Sequence, residues 1–468
     1  MEMTRLLAVA RGDEPADLLL TGGRVVNVFT GEVEEVDVAV AGPWIAGVGE
    51  GYTAARVVDL DGDFLLPGFI DAHVHIESSL CGPAEFARAV VPRGTTTVIS
   101  DPHEIANVHG VEGIRWMLEA SEGLPLAVFV MASSCVPATH LGTAGAELDA
   151  SDLAPLLDHP RVLGLAEVMN FPGVIHGDPE MLARLAAFRG HPIDGHAPRV
   201  RGRSLNAYLA AGPSSDHECT TVDEAREKLR RGAFLLLREA TNARNLRELI
   251  PVLGPGVFQR CALCTDDRQP PDLLDEGGID AMLRILVESG IDPVEAVRMA
   301  TLNPAVHYGL HDRGGIAPGR RADFVVVEDL SGFRVREVFA GGVPVARDRA
   351  PLAWDVRGNP SLPPPSMRVE PAAVDLSFPL PEGDAETVRV IGILPDQIVT
   401  GREEMAPTWR DGVPVPDPTR DLLKIVVMER HRGSGRCGVA FVTGMGLRAG
   451  AMAGTVAHDH HNLIALGV

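Results

Sequence analysis

Between about residues 63 and 320 the chain alternates short apolar segments with amphipathic stretches of helical length. TTTVIS precedes DPHEIANVHGVEGIRWMLEAS, RVLGLAEVMN leads into DPEMLARLAAFRG, and AFLLLREA is followed by NLRELIPVLG. This is the rhythm of βα units on a parallel sheet. Its extent approaches the roughly 250 residues of a barrel of eight such units. A doubly wound open sheet shares the rhythm, and eight strands do not count out cleanly. The placement of polar residues adds a second constraint. His73 with His75, Asp101 to Glu104, Glu167, His196, His217 with Glu218, and Asp266 each lie at or just after an apolar segment. In a barrel these are the carboxyl ends of strands, where active sites assemble.

The flanks read differently. Residues 18–62 alternate as short strands with Thr-Gly-Gly and Asp-Gly turns, and a matching pattern returns at 322–346 in ADFVVVEDL and FRVREVFAGGVPVA. Two β segments around a long middle predict one small sheet domain built from residues 1–62 and 321–350, with residues 63–320 inserted through it. The Pro-rich stretch 348–372 reads as a linker, and the β-rich residues 370–468 read as a further domain.

Composition excludes several classes. A formal net charge of −22 over 468 residues argues against nonspecific binding to nucleic acid or anionic membrane. No run reaches the roughly 20 apolar residues of a membrane span, and MEMTRLLAVARGDEPADLLL lacks a signal-peptide core. Six scattered cysteines, Cys261 and Cys264 among them, make no disulfide framework. A reduced, cytoplasmic protein is expected. Of 42 basic residues only Lys228 and Lys424 are lysine.

On a strand, His73 and His75 share one face, so both imidazoles can enter one cavity and hold a metal ion. Taken alone, the pair also fits a strand end with two partly exposed histidines. His73, His75, His196, His217, Glu167 and Asp266 together offer nitrogen and oxygen donors suited to divalent Zn, Mn or Fe. Two ions roughly 3.5–4 Å apart need a bridging group, which a carboxylate supplies, and such a pair makes hydroxide from water near neutral pH. Hydrolysis of a carbon–nitrogen bond is the chemistry expected.

PGFIDAHVHIESS (67–79), LAEVMN (165–170), DGHAP (194–198), SSDHE (214–218), CTDD (264–267) and the tail HDHHN (458–462) resemble, in order and spacing, the amidohydrolase superfamily and within it the adenine deaminase family. The resemblance implies a distorted (β/α)8 TIM barrel inserted in a small β-sandwich, plus a C-terminal α+β domain. It implies hydrolysis of adenine to hypoxanthine and ammonia with two divalent ions, manganese or iron, with zinc as the alternative. His73, His75 and Asp266 would bind one ion, His196 and His217 the other, and Glu167 would bridge them. Many superfamily members bridge with a carboxylated lysine. Neither lysine here lies at a strand-end motif, which favours Glu167 and the adenine deaminase pattern over the hydantoinase and dihydroorotase patterns. Asp266 would take a proton from the attacking water and pass it toward the leaving ammonia. Glu218 would donate to or orient the purine, or hold a ligand histidine from behind. Chains of the family usually continue well past the tail motif, so a shortened C-terminal domain is expected.

Glu77, His103, Glu104, His458 and His461 are candidates for the pocket or an additional metal. Asp101-Pro102-His103-Glu104 also fits a helix start, with Asp101 as cap and Glu104 completing a capping box. The expected partner is a small nucleobase, with no nucleic acid and no membrane, in a homo-oligomer. Two other readings stand: a binuclear amidohydrolase acting on another aminopurine or a cyclic amide, and a non-catalytic metal-binding protein. A decayed site would lack a ligand, and all six are present.

Overall fold

The computed structural model of the chain describes residues 3–354, 360, 361, 364, 366–378, 386–395, 397 and 399–468. Part of the Pro-rich stretch read as a linker therefore lies outside the described residues.

Eight parallel strands form the centre: Phe69–Val74, Thr95–Ser100, Ala127–Ala132, Val162–Val168, Ile193–Gly195, Ser215–Asp216, Phe234–Arg238 and Cys261–Cys264. The first five make one sheet in chain order and the last three another. The sheets meet at both edges. On one side the Ser214 amide donates to the Ile193 carbonyl at 2.8 Å. On the other, Asp266 donates to the His73 carbonyl at 3.0 Å and accepts from the His75 amide at 3.3 Å. The result is a distorted barrel. Its fifth and sixth strands are three and two residues long, too short to register as hydrophobic runs.

Local chemistry fixes the surrounding helices. Asp178 accepts the amides of Glu180 and Met181 ahead of helix Pro179–Ala187, and Asp292 does the same for Val294 and Glu295 ahead of helix Pro293–Met299. Each start combines a side-chain cap with a proline that needs no amide partner. Apolar helix faces, with Ile114, Met117, Leu283 and Leu286, pack on the outer strand surface with Val98, Val128 and Leu263. Ile70, Ile99, Met131, Leu236 and Ala262 fill the barrel interior.

Two sheets stand beside the barrel. One orders Trp44–Val48, Val38–Ala41, Ala16–Thr21 and Ala54–Asp59. The other, seven-stranded, joins Arg24–Asn27, Glu32–Glu34 and Phe64–Pro67 to Phe324–Val327, Val335–Ala340, Val343–Arg347 and Ala350–Pro351. Leu18, Leu20, Val40 and Ile45 meet Leu65, Phe324, Val326 and Phe339 between them. Strand Phe64–Pro67 pairs with Phe324–Val327 and runs on through Gly68 into the first barrel strand, so the sandwich anchors the segment that carries His73 and His75.

The C-terminal segment expected to mix helix and strand forms, among the described residues from 388 on, strands and a 3-10 turn. Its six-stranded sheet runs Gly401–Met405, Val388–Gly392, Cys437–Thr443, Leu423–Met428, Asn462–Gly467 and Ala451–Ala457. Runs such as KIVVM and VAFVT are short and β-branched, which favours a pleated surface over a helix. No helix among the described residues is long and apolar enough to cross a membrane.

Gly164 lies where the fourth strand crosses close to the fifth. A Cβ there would stand 2.0 Å from the Pro192 carbonyl oxygen, which the Leu165 amide holds at 3.0 Å. Gly164→Ala is therefore expected to cost about 1–3 kcal/mol as an overpacked site, read as a lowered midpoint in urea denaturation. An unchanged midpoint would show that the two strands can part freely.

Candidate metal centre

His75, Glu104, Glu167, His196, His217 and Asp266, one from each of the six strand-end positions, line one cavity of about 680 Å³. His73 is the last residue but one of the first strand, and His75 stands between that strand and a 3-10 turn over Ile76–Ser79. Their Nε2 atoms stand 3.0 Å apart. His75 Nδ1 is 2.9 Å from the Asp101 carbonyl, which can only accept, so Nδ1 carries a proton and Nε2 is the nitrogen left facing the cavity. Asp266 lies just past the eighth strand in the left-handed region, φ 55°. That conformation is costly for a residue with a Cβ, and the backbone bonds to His73 and His75 hold it. Asp266 Oδ1 then sits 3.1 Å from His75 Nε2 and 3.7 Å from His73 Nε2.

Glu167, in the fourth strand and 2% exposed, lies between two sets of imidazoles. Its Oε1 is 3.4 Å from His75 Nε2 and 3.3 Å from His103 Nδ1. Its Oε2 is 2.5 Å from His196 Nδ1 and 3.0 Å from His217 Nε2. Burial opposes its ionisation, but His196, with hydrogen bonds from His103, His196 and His217, holds it well below the usual carboxylate range. Burial likewise opposes the charge on Asp266, and His75 and Arg238 outweigh it.

Ligand atoms of His75, Asp101, His103 and Glu167 lie within 4.8 Å of one another, as do those of His73, His217 and Asp266, and those of Glu167, His196 and His217. Imidazole nitrogens and carboxylate oxygens crowded at hydrogen-bond distance, with His217 Nδ1 and Glu104 Oε2 buried without a hydrogen-bond partner, suit divalent cations. The donor set is large enough for two.

The remaining candidates surround the cavity. Glu77 accepts the Ile105 amide at 3.2 Å with one oxygen, leaving Oε2 buried without a partner. Burial, with Glu104 close by, pushes its pKa up to about 8. His458 Nε2 is 3.2 Å from both Glu104 and Asp267, and Asp459 Oδ1 is 3.2 Å from His103 Nε2. His458, Asp459 and His461 come from the turn between strands Ala451–Ala457 and Asn462–Gly467, and Asp459 and His461 both adopt positive φ. The Asn462 side chain, donating to the Thr143 carbonyl at 2.8 Å, pins that turn to the barrel.

The helix-cap reading of Asp101 fails. Helix His103–His109 has no side-chain cap. Asp101 instead accepts from Ser133 Oγ at 2.8 Å and faces His103 Nδ1 at 3.1 Å, because a buried carboxylate gains more from an imidazole and a hydroxyl than from one amide. Glu104 is drawn to His458 and Ser78 in the same way.

Arg238 carries no mark in the sequence beyond a charge ending the apolar run AFLLLR. Fully buried, it binds both oxygens of Glu218, donates to Asp266 Oδ2 at 2.8 Å and to Asn245 Oδ1 at 3.0 Å. It is the cation that lets two carboxylates face one cavity. Arg238→Met should cost the metal-free protein about 3–5 kcal/mol, the penalty for stranding buried charges. Added divalent metal should recover part of that loss. Thermal melting with and without metal checks both expectations.

Residues 64–345 match the model of the Amidohydrolase family, and residues 397–468 match that of the Adenine deaminase C-terminal domain. The adenine deaminase of Desulfatibacillum aliphaticivorans is 49% identical over 469 residues, covering 99% of this chain and 81% of that protein. The adenine deaminase of Methanothrix thermoacetophila is 48% identical over 470 residues, covering 100% and 82%. Among solved structures, a β-aspartyl dipeptidase from Fervidobacterium islandicum aligns with a TM-score of 0.56 at 16% identity, covering 74% of this chain and 100% of that one. An adenosine deaminase from Xanthomonas campestris aligns with a TM-score of 0.53 at 19% identity, covering 73% and 95%. At such identities these two share the fold. Family model, near-full-length relatives and a buried histidine–carboxylate cluster at the barrel mouth agree: the chain belongs to the amidohydrolase family and, within it, to the adenine deaminases.

Proposed function

We propose that this chain hydrolyses adenine to hypoxanthine and ammonia at a pair of divalent metal ions. The observation that carries the reading is Glu167, whose two oxygens face separate sets of imidazoles. His73, His75 and Asp266 would hold one ion, His196 and His217 the other, with Glu167 shared. Bound there, divalent ions lower the pKa of water toward neutrality and polarise the electrophile. The mixed nitrogen and oxygen donors suit manganese, iron or zinc; manganese or iron is the assignment the family resemblance favours, with zinc the alternative.

The chain's own groups supply the proton traffic. Arg238 donates to Asp266 Oδ2 and helps hold the carboxylate ionised beside the position the ions would take. Asp266 takes a proton of the attacking water and returns it to the departing nitrogen. The water oxygen adds to C6 as the ring nitrogen gains its proton. The C6–N bond then breaks as Asp266 gives its proton to the amino group and ammonia leaves. The second water proton, lost as C6–OH becomes C6=O, restores the one delivered to the ring. Glu218, oriented by Arg238, is placed to hold a proton against a ring nitrogen and so offset the charge that develops on the purine. Glu77, His103, Glu104, His458 and His461 complete the pocket around the base. We take residues 63–320 as the catalytic unit, 1–62 with 321–350 as its sandwich and 370–468 as the C-terminal unit. A cytoplasmic homo-oligomer that binds no nucleic acid fits the charge of −22 and the unpaired cysteines.

Metal-stripped protein reconstituted separately with Mn, Fe and Zn should release ammonia from adenine in preference to other aminopurines and cyclic amides, with about two ions needed per chain. Glu167→Gln should lower kcat by more than the roughly 10–100-fold that loss of an outer hydrogen-bond partner costs. Tight metal binding without ammonia from adenine would move the assignment to another aminopurine or a cyclic amide.

A further inference from the structure

Lys228 lies on helix Val222–Arg230 and is 1% exposed. Its ammonium donates three hydrogen bonds of 2.8 Å, to the Ala197 carbonyl, Asp216 Oδ1 and Glu224 Oε1. Each acceptor is tied to a loop that carries a functional side chain. Ala197 follows His196, and its amide donates to Asp216 Oδ2 at 2.9 Å. Asp216 precedes His217, and its Oδ1 also accepts the Glu218 amide at 2.9 Å. Glu224 accepts the amide of Arg199 at 2.8 Å, a residue held at φ 60°.

The strands beneath these loops are the shortest of the barrel, Ile193–Gly195 and Ser215–Asp216. Backbone pairing therefore fixes their ends weakly, and a further link between them runs through Asp216 and Lys228. Burial disfavours the ammonium, yet Asp216 beside it keeps its pKa above the usual lysine value. Two buried carboxylates and one buried ammonium are stable only together, since removing one partner strands the others.

We propose that Lys228 is a positioning residue whose ammonium clamps loop 196–199 to residues 216–218 and so sets the spacing of His196, His217 and Glu218. The proposal rests on the reading of His196 and His217 as metal ligands given above.

Lys228→Met leaves two buried carboxylates without their cation and adding Glu224→Gln reduces that to one, so the variant to test is Lys228→Met with Glu224→Gln, beside Lys228→Arg. Two measurements apply to each: Mn titration with bound ions counted per chain, and amide hydrogen exchange of the metal-free protein. In the double variant the second Mn ion should bind at least tenfold more weakly than in the parent, with the first unchanged. Its kcat should fall with little change in KM. Peptides covering 196–199 and 216–219 should exchange at least tenfold faster, while those covering 95–100 keep their protection. Lys228→Arg should recover part of each effect, and it carries the test alone if the double variant does not fold. Parent-like exchange at those peptides with both ions at parent affinity would overturn the clamp, as would a uniform loss of protection across the barrel. A parent chain that takes fewer than two Mn ions would overturn the binuclear reading instead, and the exchange comparison would still judge the clamp.

Discussion

Glu167 is a carboxylate taken almost wholly out of water, 2% exposed, with four imidazoles within 3.4 Å of its oxygens. Burying such a charge costs several kcal/mol unless cations or well-aimed donors surround it. Much of the architecture serves that requirement. Barrel closure brings the first and eighth strands together, so that His73, His75 and Asp266 face one point. The two shortest strands bring His196 and His217 to the other side of Glu167. Imidazoles in this position either hold protons or share metal ions, and divalent cations answer the charge without protonating the very nitrogens that chemistry needs.

A second set of contacts keeps the arrangement open for reaction. Arg238 separates Asp266 from Glu218 by bonding to both, so two carboxylates with different partners face the same cavity. Asp71 accepts the Thr265 amide at 3.0 Å and its hydroxyl at 2.5 Å, bracing the residue before Asp266, and burial pushes its own pKa up to about 7. On the far rim, the turn carrying His458, Asp459 and His461 forms part of the cavity wall. The pocket is thus shared between the barrel and the C-terminal sheet.

Much of this was readable before any coordinates. Histidines and carboxylates that end apolar runs fall at strand ends because a buried strand tolerates polar groups only where it emerges, and all six ligand candidates do so. The sandwich was legible because matching β patterns flank the inserted middle. Other features were hidden for physical reasons. Ile193–Gly195 and Ser215–Asp216 are too short to show periodicity, which blurred the strand count. DPHE matches a helix start by local rules, but Asp101 finds Ser133, 32 residues on. Arg238 looks like any charge ending a strand, and its role depends on Glu218 and Asp266, each at least 20 residues away. The contact of His103 with Asp459 spans 356 residues, beyond the reach of any local pattern.

The arrangement depends above all on Glu167 joining two metal positions. Anomalous diffraction at the manganese edge from crystals of the Mn-loaded chain tests it directly. Two peaks are expected flanking the Glu167 carboxylate, one beside His73, His75 and Asp266 and one beside His196 and His217. A single peak, or two peaks that do not share Glu167, would contradict it.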